Sequence, residues 1–276
     1  MVALKYLIEW NNNSNREIYM ALIQCDFFSE VLGLSMSMNV ILPQATKQQI
    51  GMKGKGREGK TPCLYLLHGM SDDHSTWLRR TSIERYVASM GIAVVMPAVH
   101  KSRYSNLITG DRYWDYISEE VPAIARQFFN LSDKRSDNFV AGLSMGGYGA
   151  WKLALNKPES YCAGASLSGS IYTYWDNDQK RPKGFEIAFP SQKEFEGSEN
   201  DLVFKANELN ASSGHKPRLY QCCGTEDFLY ENNLKFKKVM DTLSFDYTYE
   251  EETGTHDWTY WDMKIQRVLE WVEISE

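Results

Sequence analysis

Gly142-Leu143-Ser144-Met145-Gly146-Gly147 is the stretch from which the fold of this chain can be read. It has the form Gly-x-Ser-x-Gly. Asn138-Phe139-Val140-Ala141, just before it, is a short apolar run of the kind a buried strand uses. Tyr148-Gly149-Ala150-Trp151-Lys152-Leu153-Ala154-Leu155, just after it, holds helix formers with apolar residues at helical spacing. A strand, a sharp glycine-rich turn with serine at its tip, then a helix is the layout of a nucleophile elbow. The pentapeptide alone recurs by chance in chains of this glycine and serine content, so its flanks carry the weight.

The chemistry asks for this composition. A serine hydroxyl is a weak nucleophile until a base takes its proton, so Ser144 must project clear of the backbone. The tight turn is expected to hold it in an unfavourable conformation. Gly142 and Gly146 lack side chains that would clash where strand and helix pass close together. The helix that follows aims its first amides at the site, and the Met145 N–H is the expected first donor to a developing oxyanion.

Outward from the elbow, apolar runs alternate with helical patterns. Residues 23–28 and 34–42 read as two opening strands, the second alternating Leu34, Met36, Met38, Val40 against polar residues. Residues 44–60 read as an exposed loop, with Lys53, Lys55, Arg57 and Lys60 on its solvated face. Strands are expected at 63–67, 92–97, 163–167, 218–223 and 245–250. Helices are expected at 77–90, 114–129 (interrupted at Pro122), 230–243 and 258–272. Residues 171–216 keep no strand period and read as a lid, a pocket wall or a helical insertion. This alternation predicts an α/β fold: one mostly parallel sheet with helices on both faces, and functional groups in loops at the carboxyl ends of the strands. Residues 1–19 are set aside as a leader, and 20–276 as a single domain. Asn11-Asn12-Asn13-Ser14-Asn15 is polar low-complexity sequence, and no signal-peptide pattern surrounds it.

Composition narrows the partners. A formal net charge of −6 offers no electrostatic case for nucleic acid or anionic membrane. No apolar run approaches the roughly 20 residues of a membrane span. Of the five cysteines, Cys25, Cys63 and Cys162 lie in apolar surroundings and read as small core residues. Cys222-Cys223 are adjacent, which suits neither a simple disulfide nor a Cys-x-x-Cys metal site. A reduced, cytoplasmic protein is expected.

An activated serine needs a histidine, and that histidine needs a carboxylate to hold its tautomer. In this architecture the order is serine, acid, histidine. After Ser144 only His215 and His256 remain. His256, in Thr253-Gly254-Thr255-His256-Asp257-Trp258, falls between the last strand and last helix and is the expected base. His215 precedes a strand and reads as surface. The acid should follow the preceding strand, where Glu226 and Asp227 both qualify. Asp227 is favoured by its Gly-x-x-Asp spacing, and Asp257 is assigned to capping the last helix. The second oxyanion donor should come from His68-Gly69-Met70, with the Met70 N–H first and Gly69 as the fallback. His68 is expected to shape that loop. Trp77 and Trp258 lie near the motif loops, where bulk could shorten an acyl pocket, although tryptophan is as often core.

Leu66-Leu67-His68-Gly69, Gly142-Leu143-Ser144-Met145-Gly146-Gly147-Tyr148-Gly149-Ala150, Gly224-Thr225-Glu226-Asp227 and Gly254-Thr255-His256-Asp257-Trp258, in that order, resemble the esterase D family of α/β-hydrolases. Within it the chain is most similar to bacterial tributyrin esterases. Tyr113-Trp114-Asp115-Tyr116 and Glu119-Glu120-Val121-Pro122 fit as well. The resemblance runs from Ala21 to the C-terminus and implies a serine carboxylesterase acting on short acyl chains. The segment before Met20 and the lysine-rich loop near Lys53 depart from the pattern. The implied chemistry needs no metal or organic cofactor. The expected partner is a small-molecule ester, and a second copy of this chain is a candidate for self-association. Relatives in the family include S-formylglutathione hydrolases, feruloyl and acetyl-carbohydrate esterases, and acyl-transferring mycolyltransferases. A thioesterase shares this machinery, and a non-catalytic binding protein is the remaining alternative.

Overall fold

The computed structural model describes residues 21–46, 50–51, 54–171 and 185–272. The segment read as a leader and Lys53 lie outside them. The strands are β1 (Ala21–Ser29), β2 (Leu34–Leu42), β3 (Cys63–Leu67), β4 (Ala93–Pro97), β5 (Asn138–Leu143), β6 (Ala163–Leu167), β7 (Arg218–Gly224) and β8 (Tyr247–Glu252). They form one sheet in the order β1-β2-β4-β3-β5-β6-β7-β8. β2 runs antiparallel to both β1 and β4, and from β4 to β8 every pairing is parallel. This is the α/β-hydrolase fold.

The central strands read as unbroken apolar runs because both faces are covered. Along β3, Cys63, Tyr65 and Leu67 enter one core while Leu64 and Leu66 enter the other. The first core packs α5 (Met145–Asn156) through Trp151 and Leu153. The second packs α10 (Trp258–Val272) through Ile265 and Val268, together with Trp77 and Val87.

Four expectations are corrected. The helix expected over 77–90 is two short helices, α1 (Thr76–Arg80) and α2 (Ile83–Val87). Thr81 between them is extended, and its hydroxyl donates to the Trp77 carbonyl (2.6 Å) and accepts from Ile83 N–H (3.1 Å). Threonine thereby offers the backbone an alternative to helix. The helix expected over 114–129 is α3 (Tyr113–Asp115), a π-helical stretch (Tyr116–Glu120) and α4 (Val121–Phe128). Pro122 has no N–H for an i−4 bond, and the wide turn before it absorbs the mismatch. The last strand sits two residues later than expected, registered by Leu219 opposite Tyr247. Cys25 and Cys162 are half-buried rather than core, whereas Cys63, Cys222 and Cys223 are buried, and all five are free.

The described part of the insertion is helical: α6 (Phe185–Ala188), α7 (Gln192–Phe195) and α8 (Leu202–Ala211). Phe185, Phe189 and Phe195 form a buried ladder with ring centroids 4.9 and 5.1 Å apart, and Tyr148 of α5 packs on Phe189 at 6.0 Å. α9 (Tyr230–Met240) then leads towards β8. No helix among the described residues is long and apolar enough to cross a membrane.

Candidate active site

At the tip between β5 and α5, Ser144 has φ 53° and ψ −116°. That is a sparsely populated conformation for a residue with a side chain. Its neighbours hold it there: Ser144 N–H donates to the Leu167 carbonyl (2.9 Å), and its own carbonyl accepts from Ser170 N–H (3.1 Å). A Cβ at Gly142 would lie 2.4 Å from the Gly146 carbonyl oxygen, and one at Gly146 would lie 2.4 Å from that of Leu67. These two glycines are therefore imposed by close backbone approach.

The loops after β7 and β8 meet through two further glycines. A Cβ on Gly224 would strike the Gly254 carbonyl at 2.1 Å. Thr225 N–H donates to the Glu252 carbonyl (3.0 Å) and Glu226 N–H to that of Gly254 (3.0 Å). The exposed Glu226 carboxylate accepts from Gly254 N–H at 2.5 Å. Thr225 O–H and that amide hold its carboxyl below the usual range. Glu226 thus braces the histidine loop from outside, and Asp227 points inwards.

Asp227, with its side chain fully buried, accepts from Leu229 N–H through Oδ1 (2.8 Å) and contacts His256 Nδ1 through Oδ2 (2.8 Å). A carboxylate only accepts, so His256 Nδ1 carries the proton and Nε2 presents a lone pair. That lone pair faces Ser144 Oγ at 3.0 Å. Three residues from three loops are joined in one hydrogen-bonded line. The imidazole also lies between Phe228 (centroids 4.4 Å apart) and the edge-on Trp261 (4.8 Å). Asp257 caps α10, accepting from Thr259 and Tyr260 N–H at 2.9 and 3.1 Å. His215 is exposed, 3.6 Å from Glu159 and away from this line.

After β3, His68 is buried and its ring is doubly engaged. Val99 N–H donates to Nε2 (3.0 Å), so Nδ1 carries the proton and donates to the Gly69 carbonyl (2.7 Å). Burial pushes its pKa down to about 4, which keeps it neutral. The Gly69 N–H donates to Asp72 Oδ2 (3.2 Å), and Asp72 N–H returns a bond to the Gly69 carbonyl (3.2 Å). The fallback donor is thus already engaged. Its carbonyl is held from two sides, and in a trans peptide that fixes the opposite direction of the Met70 N–H. Among the described residues neither Met70 N–H nor Met145 N–H, the first amide of α5, donates to a protein acceptor.

Trp77 is corrected from pocket wall to core. It is 1% exposed, its indole N–H donates to the Leu67 carbonyl (3.0 Å), and its ring meets Trp258 at 5.1 Å. It supports the end of β3 from below. Trp258 is half-buried between Trp77 and Trp261. The ring of Phe228 against the imidazole and the Asp72 clamp on Gly69 went unread in the sequence. Phe228 had the signal of adjacency to the acid, and Asp72 that of an acceptor three residues past a glycine turn.

The family model described as "Putative esterase" matches residues 29–272. The chain belongs to this esterase family. It is 28% identical to an acetyl esterase of Caldicellulosiruptor saccharolyticus over 92% of this chain and 98% of that one. Among solved structures, the esterase is similar to a fluorophosphonate-binding serine hydrolase, FphF, of Staphylococcus aureus (34% identity, TM-score 0.79, 94% of this chain and 100% of that one). It is also similar to an S-formylglutathione hydrolase, FrmB, of the same organism (35% identity, TM-score 0.79, 92% and 99%). The esterase is a carboxylic ester hydrolase.

Proposed function

We propose that this esterase cleaves short-chain acyl esters through Ser144, His256 and Asp227. The single observation that carries the reading is the line of hydrogen bonds from Ser144 Oγ through His256 to Asp227, at 3.0 and 2.8 Å. His256 Nε2 takes the proton as Ser144 Oγ attacks the ester carbonyl. Asp227 stabilises the imidazolium, and the N–H groups of Met145 and Met70 receive the oxyanion. His256 returns the proton to the departing alcohol, and water releases the acid from Ser144 by the same route. The four sequence motifs place the chain beside the tributyrin esterases of the esterase D family. The acetyl esterase relative supports a short acyl group, and five free cysteines suit a reducing cytoplasm.

The relative at 35% identity that is named an S-formylglutathione hydrolase favours a second reading, hydrolysis of a glutathione thioester. Hydrolysis of p-nitrophenyl esters from acetate to palmitate, wild type beside Ser144→Ala, tests the first. The expected result is a maximum between acetate and butyrate, with kcat lowered by several orders of magnitude in the variant. Full activity in Ser144→Ala would sink the assignment of the nucleophile, and a rate rising to palmitate would remove the short-acyl preference.

A further inference from the structure

Phe228 is the most unusual apolar residue near the site. It is 76% exposed although its ring lies against the His256 imidazole. The other ring on the imidazole, Trp261, is 6% exposed and belongs to the core. If His256 returns a proton to the leaving group, the departing oxygen or sulfur must come within hydrogen-bond reach of Nε2. The carbon substituent on that atom is then carried along the imidazole. The open apolar surface it meets there is the Phe228 ring.

The surroundings of that ring carry one sign of charge. Residues 224–231 and 249–258 contribute Glu226, Asp227, Glu231, Glu250, Glu251, Glu252 and Asp257, and neither stretch contains lysine or arginine. Lys264 pairs with Glu250 and Glu252. Glu226, Glu231, Glu251 and Asp257 are exposed at the carboxyl ends of β7 and β8 and at the start of α9 and α10. A leaving group carrying carboxylates would meet repulsion here, and a neutral aromatic one would stack on a ready surface.

We propose that Phe228 is the leaving-group platform of this esterase, selecting esters of neutral aromatic alcohols over esters and thioesters whose leaving group is anionic. The proposal rests on the reading that Ser144 and His256 carry the reaction, and it decides between the oxygen-ester and glutathione readings of that site. Two pairs of substrates test it. Benzyl acetate and 2-methoxyethyl acetate share an acyl group and release alcohols of similar acidity. S-benzyl thioacetate and S-acetylglutathione share a thioacetyl group. The expected benzyl-to-methoxyethyl ratio of kcat/KM falls about tenfold in Phe228→Ala, the size of an aromatic contact, and recovers to within about twofold in Phe228→Tyr. Wild type is expected to favour S-benzyl thioacetate over S-acetylglutathione. A ratio that stays within about twofold of wild type in Phe228→Ala overturns the proposal, even if both rates fall together, because Phe228 would then only support His256. Preference for S-acetylglutathione overturns it as well. Ser144→Ala, run beside these, separates the two levels. Turnover that persists without Ser144 overturns the underlying reading, whereas turnover that needs Ser144 but ignores Phe228 overturns this inference alone.

Discussion

Ser144 keeps a left-handed φ because the Leu167 carbonyl and Ser170 N–H leave its backbone no alternative. The two acidic neighbours after β7 differ in where they point. Glu226 is exposed and holds Gly254, while Asp227 is buried and holds His256. Asp227→Asn is therefore expected to lower kcat about 10³–10⁴-fold by losing the acceptor that fixes the His256 tautomer. Glu226→Gln, which can still accept from Gly254 N–H, is expected to stay within about tenfold, and steady-state kinetics on p-nitrophenyl acetate compares them. His68 supplies a pH signature. Its pKa falls from an ordinary 6.5 to about 4 on burial, so the unfolded chain binds more protons between those values. Its contribution is complete above pH 6.5 and is lost as pH falls towards 4, up to ~3 kcal/mol. Urea midpoints of wild type should drop over that range more steeply than those of His68→Gln.

At the scale of elements, the elbow depends on backbones in contact. Gly146→Ala would push a methyl to 2.4 Å from the Leu67 carbonyl oxygen, whereas the nearest atom to a Cβ at Gly214 lies at 3.5 Å. The first substitution should cost about 1–3 kcal/mol and lower Tm by several degrees, with loss of esterase activity. The second should leave both near wild type, as calorimetry and an ester assay would show. The strand–turn–helix around Ser144 was legible because its glycines and apolar period are local signals. The split between α1 and α2 was not, because it turns on hydrogen bonds made by the Thr81 hydroxyl. The burial of Trp77 was equally hidden, since its partner is the Leu67 carbonyl at the end of another element. Asp227 could be favoured over Glu226 by spacing, but the separate task of Glu226 depends on Gly254, 28 residues later.

Across the whole molecule, Lys152 ties the elbow helix to two distant loops. Its buried ammonium donates to the Tyr104 carbonyl (3.0 Å), Ser105 Oγ (3.2 Å) and Asn200 Oδ1 (2.6 Å), and lies over the Trp114 ring at 4.1 Å. Tyr148, one turn earlier on α5, adds a bond to the Asn200 carbonyl (2.9 Å). Burial outweighs the nearby Glu199 and Asp115 and lowers the lysine pKa from 10.5 to about 7. The unfolded chain therefore binds the extra proton above pH 7, and stability should rise between pH 7 and 9 by ~2 kcal/mol. The buried thiols of Cys63 and Cys222, raised from 9.0 to about 12, act the other way only above pH 9. Urea unfolding at pH 7 and 9 should show this rise in wild type and a flatter profile in Lys152→Met.

The sequence by itself determined the α/β alternation, the elbow at Ser144 and the serine-acid-histidine order, because apolar period, glycine and motif order act over short spans. It also separated His256 from His215, since only one stands where the last strand meets the last helix. The tertiary structure alone decided which side chains share a space. Phe228 against His256, Trp77 beneath β3 and Lys152 bridging to Asn200 each pair residues from different elements. The identity of such a partner depends on the packing of the sheet and its flanking layers, which no local pattern encodes.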